Sequence, residues 1–199
     1  MSVLGLSITD TTPLPVGAGF WIRALARFLD IVYCNLVAFA AGILGGIILV
    51  ILQAASVTDA GWSQRIGGGK VELTVAAIVA SLIYHSLCEG IHGATLGKLV
   101  CGLRVLSQDL SPCGLNSGLK RSLAYLLDAL FFGVIGYLEM QKTVMEQRHG
   151  DHWAKTIVVR NAQVPEGSKR SVGRLLLALA AASATYATLM AIAAVWIGI

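Results

Sequence analysis

The stretch "GFWIRALARFLDIVYC", Gly19 to Cys34, opens the first long apolar run of this chain and sets Arg23, Arg27 and Asp30 at its start. Further on, "LKRSLAYLLDALFF", Leu119 to Phe132, places Arg121 before Asp128 at the same spacing that separates Arg23 from Asp30. Seven residues of α-helix rise about 10.5 Å and turn nearly two circles, so each arginine shares a face with its aspartate. An arginine near a helix end can reach the headgroups, whereas a short aspartate one or two turns deeper cannot. Both aspartates therefore need partners. Arg27, three residues before Asp30, is placed to pair with it along the helix, but Asp128 has no cation three or four residues away. If both helices start at one membrane face, Asp30 and Asp128 lie at similar depth, and two such carboxylates could share a proton or a small cation.

Composition sets the class. Of the 199 residues, 56% are hydrophobic and only 13% charged, and the mean hydropathy is +0.74. These values describe a membrane protein with room for three or four spans and no separate soluble domain. Residues 1–18 lack the basic and apolar regions of a cleavable signal, so the first span is expected to stay as its own anchor. Cys34, Cys88, Cys101 and Cys113 show neither zinc nor disulfide spacing and read as unpaired thiols.

Three spans stand out: Ile31 to Leu52, Val71 to Cys88, and Leu175 to Ile199. The first carries Ala38, Gly42 and Gly46 at every fourth position, a small-residue stripe expected to face protein. A fourth segment, Ser122 to Leu138, is short and contains Asp128. Charge distribution bears on it. Residues 91–121 hold Lys98, Arg104, Lys120 and Arg121, and residues 141–174 hold seven more Lys and Arg, so both loops read as cytoplasmic. One crossing of 122–138 would separate them. "LVCGLRVLS" and "KTIVVRN" are short, β-branched and flanked by turn residues, and could pair as a small cytoplasmic ribbon. The segment then either crosses, or enters and returns with a break near Gly133 and Gly136, where protein must cover the open backbone. The expected fold is an all-α integral membrane protein of three to four transmembrane helices, one re-entrant in the second reading, with a small cytoplasmic β-ribbon.

"GFWIRALARFLD", "GATLGKLVCGLRVL" (Gly93 to Leu106) and "RHGDHWAKTIVV" (Arg148 to Val159) stand in this order in the chain. Together they resemble the RDD family of membrane proteins, which is named for one arginine and two aspartates. The resemblance makes Arg23 the arginine and Asp30 the first aspartate, and leaves Asp128 or Asp151 as the second. It implies a cytoplasmic tail over 1–18, an RDD-like membrane domain over 19–160, a linker over 161–171 and an added transmembrane helix over 172–199. Lys155 departs from the pattern, since the family usually writes glycine there. A multi-pass place in a bacterial inner membrane follows from the same resemblance.

Other motifs carry less. "GATLGK" lacks one residue and a hydroxyl of a phosphate loop, so Thr95 is read as the cap of a short interfacial helix with Lys98 at headgroup level. His85, Glu89 and His92 share a helix face but supply only one Glu-x-x-His unit, so Glu89 is expected to meet an arginine of a neighbouring helix rather than a metal. "RHGDHW" reads as a surface turn or helix cap. No nucleophile setting, cofactor motif or nucleic-acid surface is present in the sequence, and no enzymatic role is expected. The function expected is transport of a proton, cation or small ligand at Arg23, Asp30, Arg121 and Asp128, with Arg27, Glu89, Lys98 and Asp151 as secondary candidates. The alternative is a scaffold or assembly factor whose charges knit the bundle. The expected partners are the lipid bilayer and either a second copy of the chain or other membrane proteins.

Overall fold

The structure, a computed structural model, describes residues 16–56, 70–131 and 133–198. Seven α-helices and a two-stranded ribbon follow one another among these residues. They are α1 (Phe20–Ala54), α2 (Lys70–Ile91), α3 (Leu96–Val100), β1 (Leu103–Ser107), α4 (Leu115–Leu130), α5 (Val134–Met140), α6 (His149–Ala154), β2 (Thr156–Arg160) and α7 (Val172–Gly198). Three stretches, Phe20–Ala54, Leu73–Ile91 and Glu166–Ala193, are long and apolar enough to cross a membrane. Residues 57–69, between the first two spans, lie outside the described residues.

α2 packs against both α7 and α4, and α1 packs against α3 and α7. Small side chains permit the closest approach: Ala178 and Ala182 of α7 are fully buried with Ala80, Tyr84 and Cys88 of α2 and Cys34 of α1. The cysteines are all free thiols. Gly42 and Gly46 meet nothing within 4 Å. The stripe expected to face protein is therefore open within one chain, and only Ala38 at its beginning joins the packed cluster.

The ribbon forms as its β-branched strands imply. β1 and β2 are antiparallel with Leu103 opposite Arg160, Val105 opposite Val158 and Ser107 opposite Thr156. Both faces are covered, one by Ala18 and Ala26 at the start of α1, the other by Val164 and Met145. The residues leading into α1 add to the far side of β2, where Ala18 N donates to Val158 O at 2.8 Å. The ribbon thus ties the chain before α1, after α3 and after α6 into one head at one end of the long helices.

This pairing bears on the two readings of 122–138. α4 stops at Leu130, Gly133 takes a left-handed conformation at φ 77, and α5 returns for seven residues. Neither helix alone matches the ~30 Å hydrocarbon thickness. The break falls at Gly133, where Gly133 N donates to Asp128 O at 2.8 Å and closes the turn. α4 and α5 form a helical hairpin, an arrangement that fits β1 and β2 being hydrogen-bonded neighbours.

α1 explains the charges at its own start. Its 35 residues extend about 52 Å, well beyond one hydrocarbon layer, and residues 31–54 alone would cross it. The first turns, with Arg23, Arg27 and Asp30, are packed into the head instead of being offered to lipid.

Lys155 caps α6 in the left-handed region, at φ 52 and ψ 51. A Cβ there is strained and a glycine is not, which accounts for the glycine usual in the resembling sequences. Lys155→Gly is expected to raise stability by up to about 1 kcal/mol and Lys155→Val to lower it by about as much, read as melting temperatures in detergent. Equal melting temperatures for the two variants would remove the backbone argument.

Candidate functional site

Asp151 lies in the first turn of α6 and has no exposed surface. Its Oδ2 accepts from Arg23 Nη2 and, at 3.1 Å, from the backbone N of Arg148; its Oδ1 accepts from Arg121 Nη1. Arg121, also fully buried, donates through Nε to Glu89 Oε2 at 2.7 Å and through Nη1 to Thr156 Oγ1 at 2.7 Å. Glu89 accepts from Lys98 Nζ on its other oxygen. One continuous lattice therefore runs from α1 through α6, α4 and α2 to α3.

Backbone proximity sets these distances. α4 crosses α2 where Gly118 faces Ser86, and a Cβ on Gly118 would stand 2.7 Å from the Ser86 carbonyl oxygen. Only glycine lets the two helices approach closely enough for Arg121 to reach Glu89. Gly97 does the same for α3 against α1: a Cβ there would overlap the Ala26 carbonyl. That approach brings Gly97 N to 2.8 Å from Asp30 Oδ1. Asp30 also accepts from Tyr84 Oη at 3.0 Å and Thr95 Oγ1 at 2.6 Å.

The sequence-based candidates are all in this region, but several are paired differently from the expected helix stripes. Arg23 meets Asp151, not Asp30, and Arg121 meets Glu89 and Asp151, not Asp128. Asp30 is held by neutral donors, Thr95 and Gly97 arriving with α3 and Tyr84 with α2. Arg27 does not pair with Asp30; its guanidinium lies over the Tyr125 ring, 3.7 Å from the centroid. Asp128 has Arg148 as its ion-pair partner, at 3.5 Å. Glu89 meets an arginine from a neighbouring helix, as its position at the end of α2 implied. Lys98 is buried against Glu89 rather than placed at headgroup level, since α3 is folded inward under α1. Thr95 caps α3, accepting from Lys98 N at 3.4 Å. The "RHGDHW" segment does cap a helix, yet its aspartate is at the centre of the protein and not at the surface.

Arg148 was missed by the sequence reading, where it counted only as loop charge. Its place three residues before Asp151, at the cap of α6, is the signal that could have found it. Arg170 was missed as well. It donates to Gly90 O at 3.1 Å, Ile91 O and Cys113 O at 2.9 Å, so it covers the end of α2, where unpaired carbonyls favour a cation. His92 accompanies it, accepting through its carbonyl from Arg104 at 3.2 Å. Among the described residues no group of His, Cys, Asp and Glu has the arrangement of a metal site.

Beside the lattice, between the start of α1 and the α4–α5 hairpin, is a cavity of about 430 Å³. Arg27, Asp30, Glu89, Lys98, Asp128 and Arg148 line it, together with the apolar Phe20, Phe28, Ile31 and Met140. Burial pushes the Lys98 ammonium down to about 8, against the pull of Glu89, so it remains a cation at neutral pH. Asp151 is affected in the opposite sense. Burial alone would raise it, but the charges of Arg121, Arg23 and Arg148 prevail and hold it well below the usual carboxylate range.

A depressed carboxylate contributes stability that is present above its unfolded value of about 4 and lost as pH falls from there toward its folded value. The melting temperature is therefore expected to lose its Asp151-dependent part only below about pH 4. Asp151→Asn should cost about 3–5 kcal/mol at neutral pH, because two buried guanidiniums lose their counter-charge, and should flatten the acid limb. An acid limb of unchanged slope in the variant would show that Asp151 does not carry it.

The RDD family matches residues 17–199, a range that includes α7, which the sequence reading set outside the shared region. A Bacillus subtilis protein described as uncharacterized protein YxaI is 30% identical over 133 residues, covering 61% of this chain and 83% of its own. No solved structure matches the chain significantly.

Proposed function

This chain belongs to the RDD family, and from that premise we propose that it is a multi-pass membrane protein that passes a proton, cation or small ligand through the head cavity, with Asp128 as the exchanging carboxylate. One observation carries the reading. Asp30, Glu89 and Asp151 each accept two or more hydrogen bonds, whereas Asp128 lines the cavity with a single ion-pair contact of 3.5 Å. A saturated carboxylate cannot exchange its partners without dismantling the lattice, and a loosely held one can. The reading involves no catalytic step and no cofactor.

The cell membrane is the proposed location, with the ribbon head on the cytoplasmic side, because both basic loops meet there. The lipid bilayer is the main partner. A second copy of the chain is the proposed protein partner, at the open face of α1 that carries Gly42 and Gly46. The scaffold reading is favoured by the saturation of the other three carboxylates, which ties five helices together whether or not anything moves through the cavity.

Two experiments test this reading. Cysteines placed at Asp109 and Ala162, both exposed, are expected to be labelled from the same, cytoplasmic, side of the membrane; labelling from opposite sides would defeat the hairpin topology. In sealed vesicles with imposed pH and sodium gradients, Asp128→Asn is expected to assemble normally and lose flux. Asp30→Asn is expected to lose stability instead, because an amide oxygen replaces only one of two accepting oxygens. Normal flux in Asp128→Asn would refute the exchange site, and absent flux in the wild type under every gradient would leave the scaffold reading.

A further inference from the structure

We propose that the head cavity binds an oxyanion, a phosphate or carboxylate group, with Arg27 and Arg148 as its main ligands. The proposal rests on the reading of the cavity as the working site and names the class of ligand it takes.

Charge is the first argument. The lattice and cavity wall together bring Arg23, Arg27, Lys98, Arg121 and Arg148 against Asp30, Glu89, Asp128 and Asp151. Glu139, whose carboxylate also acts on Asp128, offsets the fifth cation in number, but Arg27 stands apart because it has no carboxylate within ion-pair distance among the described residues. Its guanidinium is held over Tyr125 at 3.7 Å, and that of Arg148 approaches the same ring at 5.4 Å. Two like charges drawn to one ring repel each other unless an anion sits between them.

Unmade hydrogen bonds are the second argument, independent of the first. Arg27 Nε, Arg148 Nε and Arg121 Nη2 are buried from solvent and have no hydrogen-bond partner. All three side chains line the same cavity, and Arg121 is only 1% exposed. Buried guanidinium donors are expensive to leave unmade, and a planar or tetrahedral oxyanion presents several acceptors to several donors at once. A cation entering this cavity would meet the unpaired Arg27 guanidinium, and of the lining carboxylates Asp128 alone is loosely enough held to receive it.

The remaining wall defines two sources for such an anion. Phe28 and Ile31 are 60% and 48% exposed and line the cavity with Phe20 and Met140. An amphiphile could place its headgroup phosphate on the arginines and its chains along α1. A free oxyanion such as inorganic phosphate would use the arginines alone.

The test is equilibrium binding, which requires no flux. Purified protein in neutral detergent is titrated with radiolabelled inorganic phosphate, and in parallel with phosphatidylglycerol or phosphatidylcholine followed by native mass spectrometry. Saturable phosphate binding assigns a free oxyanion; binding of phosphatidylglycerol in preference to phosphatidylcholine assigns a lipid headgroup. In either case Arg27→Gln should weaken binding about tenfold to a hundredfold, and exchange of the exposed Lys169 for glutamine should leave it unchanged. If Arg27→Gln does not fold, Arg27→Lys decides: it keeps the charge but loses the fork, so an intermediate affinity is expected. Absence of binding of both probes, or equal affinity in the wild type and in the folded Arg27 variants, overturns the proposal. Either result leaves the vesicle flux of wild type and Asp128→Asn to be judged separately.

Discussion

The Asp151 carboxylate, wedged between Arg23 and Arg121, is the interaction on which the rest of the structure depends. Its three residues belong to α1, α4 and α6, separated by most of the chain; Asp151 and Arg121 are sealed from water and Arg23 nearly so. Once one of these charges is buried, the others have no freedom to be elsewhere, because an uncompensated buried ion costs several kcal/mol. The geometry is then passed on. Arg121 fixes Glu89 at the end of α2, Glu89 fixes Lys98, and Lys98 holds α3 under α1, where Gly97 and Thr95 meet Asp30.

This chain of dependence gives physical content to the sequence segments that resemble the family. In "GATLGK", Gly93 has a φ of 88 and gives its carbonyl to Val105 N at 2.7 Å. Thr95 and Gly97 both donate to Asp30, and Lys98 donates to Glu89. In "GDHWAKT", Asp151 takes the two arginines, Lys155 stands in the left-handed cap and Thr156 receives Arg121. Thr95, Gly97, Lys98, Asp151 and Thr156 each meet a residue of another element, so the segments read as separate parts of one site.

The sequence made the long helices, the ribbon and most members of the charged cluster legible, Arg148 excepted, since apolar length, β-branched strands and buried charge are all local signals. It also showed that 122–138 was anomalous, through loops of one sign on both sides of it. The pairing within the cluster was not legible. Helical spacing makes Arg23 and Asp30 neighbours on one face, but it says nothing about what other helices bring to that face. α3 and α2 together deliver three neutral donors to Asp30, which frees Arg23 for Asp151, and Arg148 arrives from the cap of α6 to take Asp128. Lys98 was misplaced for a related reason: as a lysine near a span it reads as a headgroup contact, and only the inward fold of α3 places it on Glu89.

The division of labour among the carboxylates bears on how transport and anion binding would fit together in one cavity. Asp30, Glu89 and Asp151 are locked by two or more donors each, so they define the frame, while Asp128 and Arg148 share a loose contact at the cavity wall. Under the oxyanion proposal, an anion drawing Arg148 toward Arg27 would weaken its hold on Asp128. A carboxylate that loses its counter-charge in a desolvated place takes up a proton more readily. Anion arrival and protonation of Asp128 would then favour one another, and by linkage each would strengthen the other by the same factor. The Arg23 and Arg121 pairs of the frame would stay intact, because only Arg148, 3.5 Å from Asp128 and 3.8 Å from Asp151, changes partner.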